Sequence, residues 1–324
     1  MKRRDLLLLA GSAAATWSFA SAAQQSGRLL RLGMLLYNAP QIDPIAPLLN
    51  GLNALGYVEG KNFAIEYRYA EGKFERLPDL AVELVQLKPD VIFAYGGDVA
   101  PFAKNATKTI PVVVMVSNDP VQSGLVASLA RPGGNITGLT QVYDDLAGKM
   151  LDYLKQAVPA MSKAAVLWNP NHADPEYRET ERVAGVLKID LVPLPVRTPE
   201  DFDGAFRLAI ERRAQGLVVV SSRLLLGQRK RIAEFILSNR IPAVGGWGDW
   251  ARDGLLLTYG PNIPEVLRCA AVYIDKIFKG ARPGDLPFER PSRFELIVNT
   301  KAAATLGLAL PDALLSSADQ LIES

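Results

Sequence analysis

Much of the chemistry that enzymes depend on is missing from this 324-residue chain. It carries a single cysteine, Cys269, so no intramolecular disulfide can form. That thiol sits in the apolar helical stretch 266–278 and reads as a buried, inert group. Its single histidine, His172, excludes a histidine-rich metal site and a metalloprotease helix. The G-x-S-x-G elbow, the Walker A loop and the G-x-G-x-x-G fingerprint are all absent, and neither Gly96-Gly97 nor Gly133-Gly134 fits the last of these. Net charge is nearly absent too, at +2 from 36 basic and 34 acidic residues. Lys2, Arg3, Arg4 and Asp5 supply that excess, so the rest of the chain is neutral and carries no electrostatic footprint for nucleic acid. Neither a cofactor nor a metal is expected.

What is present begins at the N-terminus. Lys2, Arg3 and Arg4 precede an apolar run from Leu6 to Ala15, and Ala20, Ser21, Ala22 and Ala23 form a small-residue zone. This is the pattern of a secretory signal over residues 1–23, cleaved near Ala22 or Ala23. The run is too short for the roughly 30 Å hydrocarbon core of a bilayer. Arg3-Arg4-Asp5-Leu6-Leu7 fits a twin-arginine signal as well as a Sec signal that carries two arginines. The expected destination is the periplasm.

From Leu32 onward short β-rich runs alternate with amphipathic segments. Strands are predicted over 32–37, 63–69, 91–95, 112–116 and 136–140, then over 164–168, 191–194, 217–220, 243–244, 255–259 and 294–298. Runs such as Val112-Val113-Val114-Met115-Val116 are apolar without alternation, as parallel strands covered on both faces require. Helices are predicted over 44–55, 77–87 and 120–130, and from Pro199 to about Arg213 with Thr198 as N-cap. The order implies an α/β fold with parallel sheets and right-handed crossovers.

The pattern repeats. Tyr37-Asn38 and Trp168-Asn169 each close a strand, and Ile110-Pro111 and Ile241-Pro242 each open one, both pairs 131 positions apart. The fold expected is therefore two similar doubly wound parallel-sheet lobes. Ligands of open α/β sheets bind beyond the carboxyl ends of the strands. Two facing lobes would place those ends on one cleft that closes about a hinge.

The strand-end loops hold the candidate ligand-binding residues: Tyr37, Asn38, Gly96, Gly97, Asp98, Ser117 and Asn118 in the first lobe, and Tyr143, Asn169, Ser222, Trp247 and Asp249 associated with the second. Each also has a plainer reading as a turn or a helix cap, and for Asp119 before Pro120 the cap reading leads. Trp247, between glycines at a strand end, reads as a pocket wall or an inter-lobe contact. Asp249 reads as the partner of a ligand ammonium group. Tyr37, Tyr143 and Tyr259 read either as further aromatic walls or as packing on their own sheets. His172, in the polar loop 169–174, reads as a helix-entry residue, and no catalytic residue is assigned.

Two longer blocks are similar to a known family. The segment 117–138, Ser-Asn-Asp-Pro-Val-Gln-Ser-Gly-Leu-Val-Ala-Ser-Leu-Ala-Arg-Pro-Gly-Gly-Asn-Ile-Thr-Gly, resembles a hallmark of the tryptophan/tyrosine-type substrate-binding proteins of ABC transporters. The segment 286–299, with 303–315 after it, resembles the second. The resemblance implies a type I periplasmic-binding fold with three crossings, near 139–144, 253–258 and 287–294. It places residues 27–140 plus 255–286 in an N-terminal lobe and 141–254 plus 287–324 in a C-terminal lobe. It also implies an aromatic or amino-acid-like solute, membrane permease and ATPase partners, and a monomer. The loop 245–250 matches no family pattern, so ligand identity does not carry over. A sugar, a sensor-linked role and an exported α/β enzyme are the alternatives. A transcriptional repressor is disfavoured, because a signal segment stands where a DNA-binding helix-turn-helix would.

Overall fold

A computed structural model describes residues 29–43, 45–141, 146–172 and 176–323. The segment 1–23 expected to be a signal and Tyr143 lie outside the described residues. In chain order the first half contains β1 (Leu30–Leu36), α1 (Ala46–Ala54), β2 (Phe63–Tyr69), α2 (Leu77–Gln86), β3 (Val91–Tyr95), α3 (Ala100–Ala106), β4 (Val112–Val116) and β5 (Ile136–Thr140). The second half follows with α4 (Leu146–Ala157), β6 (Lys163–Trp168), α5 (Glu176–Leu187), β7 (Asp190–Pro195), α6 (Phe202–Glu211), β8 (Leu217–Val219), α7 (Arg223–Gly227), α8 (Arg229–Ser238), β9 (Ala243–Gly245), α9 (Gly248–Asp253) and β10 (Leu257–Pro261). The chain closes with α10 (Ile263–Phe278), β11 (Phe294–Asn299), α11 (Thr300–Leu306), α12 (Asp312–Ser317) and β12 (Gln320–Ile322).

Two sheets result, ordered β2-β1-β3-β4-β5 and β12-β11-β10-β9-β8-β6-β7. Read from its other edge, the second runs β7-β6-β8-β9-β10, the topology of the first, so the 131-residue echo is a structural repeat. The repeat is extended by β11, antiparallel to β10, and β12, parallel to β11.

Each sheet is covered on both faces, which is why its strands are apolar throughout. Alternate residues of β4 divide between two cores. Val112, Val114 and Val116 join the layer with α2 and α3, whereas Val113 and Met115 join the layer with α1 and α10. Helix α10 buries Val266, Leu267, Ala270, Ala271 and Ile274 against α1, β3, β4 and β5. It therefore belongs to the first lobe although it follows the second in sequence. Asn262 starts it by accepting a hydrogen bond from the Glu265 N–H at 2.8 Å.

The expected boundaries need two corrections. Strand β10 pairs with β9 and β11, so residues 257–261 sit in the second sheet and the chain crosses at Asn262, later than 253–258. Phe288 and Glu289 stay with the first lobe: Thr140 N donates to Glu289 O at 3.0 Å and Glu289 N to Gly138 O at 3.1 Å. The third crossing therefore falls at 290–293, not from 287.

The helix expected over 120–130 does not form. Asp119 starts it as a cap should, accepting from Val121 N and Gln122 N at 2.7 and 3.1 Å. Gly124 then takes φ +67°, outside the helical region, and ends the turn, after which the segment runs as bends and irregular chain.

Candidate functional site

The strand-end loops of the two sheets meet at a seam, and an arginine crosses it. Arg223 is the first residue of α7, started by Ser222, whose Oγ accepts from Leu225 N at 3.3 Å. Its side chain is 5% exposed and lies against the first lobe. The guanidinium carbon is 3.6 Å from the centre of the Tyr95 ring, and its Nη1 is 3.4 Å from Asp43 Oδ1. Trp247, from the second lobe, closes the far side at 4.9 Å. Gly96 leaves the space this needs, since a Cβ there would stand 3.0 Å from Arg223 Cγ. Burial works against the charge. The Tyr95 hydroxyl and the Asp43 carboxylate outweigh it and hold the guanidinium pKa above its ordinary value. Burial raises the Tyr95 pKa, with Arg223 opposing.

Asn38 ties the same contact together. Its N–H donates to Asp43 Oδ2 at 3.1 Å, and its Nδ2 donates to Asp43 Oδ1 at 3.2 Å and to Arg223 O at 3.3 Å. Neighbouring Tyr37 turns onto its own lobe, donating its hydroxyl to Gly72 O at 2.8 Å, and burial raises its pKa. Beside these two residues opens a cavity of about 440 Å³ lined from both lobes, by Ala39 and Phe74 on one side and by Arg197 and Gln228 on the other.

The second bridge is His172. Its Nε2 lies 2.9 Å from Ser117 Oγ, and its Nδ1 meets Asp98 Oδ1. Both partners belong to the first lobe, and the His172 and Asp98 side chains are 2% and 5% exposed. A carboxylate only accepts, so Asp98 favours the N–H on Nδ1 and leaves Nε2 to accept from Ser117. The sequence offered no reason to bring this serine, histidine and aspartate together, because they come from different repeats. His172 stands four residues before α5, near the helix entry expected of it, and adds a cross-lobe contact.

The remaining sequence candidates divide. Asn118 and Gly97 lie at the seam: a Cβ on Gly97 would meet Asn118 Oδ1 at 3.2 Å and His172 Cε1 at 3.3 Å. Asn169 makes a turn, its Oδ1 accepting from Asn171 N at 2.9 Å. Trp247 is buried, with its ring centre 5.4 Å from that of Trp250. Asp249 is not in this group. It is 46% exposed in the first turn of α9 and accepts from Arg252 Nη1 at 2.9 Å, a place that gives it no role toward a buried ammonium. Tyr259 packs on its own sheet against Tyr153 and Phe294.

Sequence reasoning passed over Asp43, placed Arg223 only within the strand-end loop 221–223, and gave His172 no part in the site. The one available signal was position, since Arg223 and His172 both stand within four residues of a strand end. Among the described residues no group of three or more His, Cys, Asp or Glu is placed to hold a metal ion, and no helix is long and apolar enough to cross a membrane.

Known proteins are similar to this chain in sequence and fold. The family model described as ABC transporter substrate binding protein matches residues 43–322. A tyrosine-binding protein of Clostridioides difficile (strain R20291) is 24% identical over 276 residues, covering 84% of this chain and 79% of that protein. The crystal structure of a conserved domain protein from Vibrio cholerae superposes with a TM-score of 0.85 at 26% identity, over 91% of this chain and all of that one. An ABC domain from Streptococcus pneumonia in complex with L-Trp superposes with a TM-score of 0.84 at 21% identity, over the same shares.

Proposed function

Because the chain belongs to the ABC transporter substrate-binding protein family, and is thereby the solute-binding component of such a transporter, we propose that it closes its two lobes on a small aromatic or amino-acid-like solute. The observation that carries this is the pair of cross-lobe bridges, Arg223 onto Asp43 and Tyr95, and His172 onto Ser117 and Asp98. Contacts between strand-end loops of different lobes form only when the lobes come together, which is the motion a hinged binding protein uses. The tyrosine-binding relative supports the aromatic class. In this reading the pocket is drawn from the seam residues Asn38, Gly96, Gly97, Asp98, Ser117, Asn118, Ser222 and Trp247. The protein works as an exported, periplasmic monomer that delivers its solute to a permease and ATPase, without catalysis of its own.

A thermal-shift panel of amino acids, aromatic carboxylates, branched-chain acids and sugars tests the proposal. A ligand at 100 times its Kd raises the stability of the native state by about 2.7 kcal/mol. A shift confined to aromatic amino acids is the expected result, and a shift confined to sugars would replace the solute class.

One observation favours a second reading. Ser117, His172 and Asp98 stand in the hydrogen-bond order of an acyl-transfer triad. Turnover of an activated ester by the purified protein, lost in Ser117→Ala, would support a hydrolase. The expected outcome is none.

A further inference from the structure

A polar atom buried without a partner has lost its water and gained nothing in exchange, so a native fold keeps such atoms sparingly. Two of them lie at the seam. Asn118, just beyond β4, is 6% exposed, and no hydrogen bond reaches its Oδ1. Ser221, just beyond β8, is fully buried, and its Oγ is likewise unpartnered. Each adjoins a cross-lobe bridge. Ser117, next to Asn118, holds His172, and Arg223, two residues after Ser221, rests on Tyr95. The other described side chains with unpartnered buried atoms, Trp168, Trp250 and Thr258, belong to the second lobe's own sheet and helices.

We infer that Asn118 Oδ1 and Ser221 Oγ are the polar anchors of the solute, one on each lobe, and that together they take a primary ammonium group. An amide oxygen can only accept, so the solute must bring a donor to Asn118. A hydroxyl oxygen can accept as well. An ammonium carries three N–H donors and no acceptor, so it serves both oxygens at once. The surrounding charge agrees. Behind Ser221 stands Glu176, fully buried, whose Oε2 accepts from Ser221 N at 3.0 Å. Near Asn118 stands Asp98, paired with the His172 ring. Two carboxylates thus stand close to these two oxygens. The ammonium role that the sequence suggested for Asp249 passes to these two oxygens. The assignment rests on the solute-binding reading above.

The test is calorimetric titration of the full-length mature protein with tyrosine, tyramine and 3-(4-hydroxyphenyl)propionate. Tyramine keeps the amine alone and the propionate keeps the acid alone. The wild type should bind tyramine more tightly than the propionate, by about tenfold or more, the effect of one or two charged hydrogen bonds. Asn118→Ala and Ser221→Ala should each erase most of that advantage while leaving the melting temperature of the solute-free protein unchanged or higher, because no native hydrogen bond is removed. A wild type that prefers the propionate, or variants that keep the tyramine preference, overturns the inference and leaves the solute-binding reading intact. A wild type that binds none of the three overturns both.

Discussion

The guanidinium of Arg223 and the ring of Tyr95 face each other at 3.6 Å, although one belongs to the second lobe and the other to the first. Tyr95 ends β3, and Arg223 follows β8, the strand that takes the place of β3 in the second sheet. Equivalent points of the repeat thus meet, and the later copy supplies a cation to the earlier copy's aromatic face.

Removal of that cation should open the molecule. A desolvated cation–π contact contributes about 2 kcal/mol or more, and each 1.4 kcal/mol is roughly tenfold in affinity. Arg223→Met should therefore weaken solute binding by about tenfold to a hundredfold and enlarge the radius of gyration of the solute-free protein in solution scattering. Arg223→Lys should not restore either property, because an ammonium cannot lie flat on the ring as a guanidinium does. Unchanged scattering and affinity would show that the contact does not hold the lobes.

His172 and Asp98 should behave as a unit. A buried hydrogen bond contributes on the order of 1 kcal/mol, so His172→Ala and Asp98→Asn should each cost about fivefold to thirtyfold in affinity. The double variant should be little worse than either single one, with an interaction of at least about 0.5 kcal/mol. Simple additivity of the two losses would show that they act separately.

Gly96 tests the same seam from the backbone side. It has φ +123°, and an added Cβ would press on Arg223 Cγ at 3.0 Å. Gly96→Ala should lower the melting temperature and the solute affinity. Adding Arg223→Ala should recover part of the stability by removing the obstruction, but none of the affinity. A double variant as unstable as Gly96→Ala would place the whole cost in the backbone.

Stability should fall at alkaline pH. Burial, followed by the hydrogen bond to Asp275, pushes Tyr57 from its ordinary 10.0 up to about 12. Burial also raises Tyr95 and Tyr273. A phenol whose folded pKa is raised contributes stability that is fully present below pH 10 and is lost as pH rises toward the folded value, because the unfolded chain gives up its proton first. Melting temperatures should therefore decline between pH 10 and 12, less steeply in Tyr57→Phe. Ultraviolet titration should show these tyrosines ionising only as the protein unfolds. Early ionisation in the native state would contradict the raised values.

The layers of the fold were legible because parallel strands buried on both faces must be apolar throughout, as Val112–Val116 is. The repeat was legible because Pro111 and Pro242 punctuate it at equal offsets. Strand β12 was not, being a short edge strand whose Gln320 and Leu321 are exposed, so that no apolar run marks it. The site was legible only by position. Asn38, Asp98, Ser117 and Trp247 fall at the seam because strand ends do. His172 and Arg223 take their roles from partners 55 to 185 residues away, and no local pattern encodes such a distance.

The placement of α10 has a consequence for how the chain acquires its structure. The helix that covers one face of the first sheet lies beyond residue 262, after the whole of the second repeat. A nascent chain that has reached residue 140 holds all five strands of that sheet while the apolar faces of Phe93, Val113 and Met115 still lack their cover. The earlier lobe is therefore the one that finishes later, and a chain cut off before Phe278 would leave an unfinished N-terminal half, not merely a shortened tail.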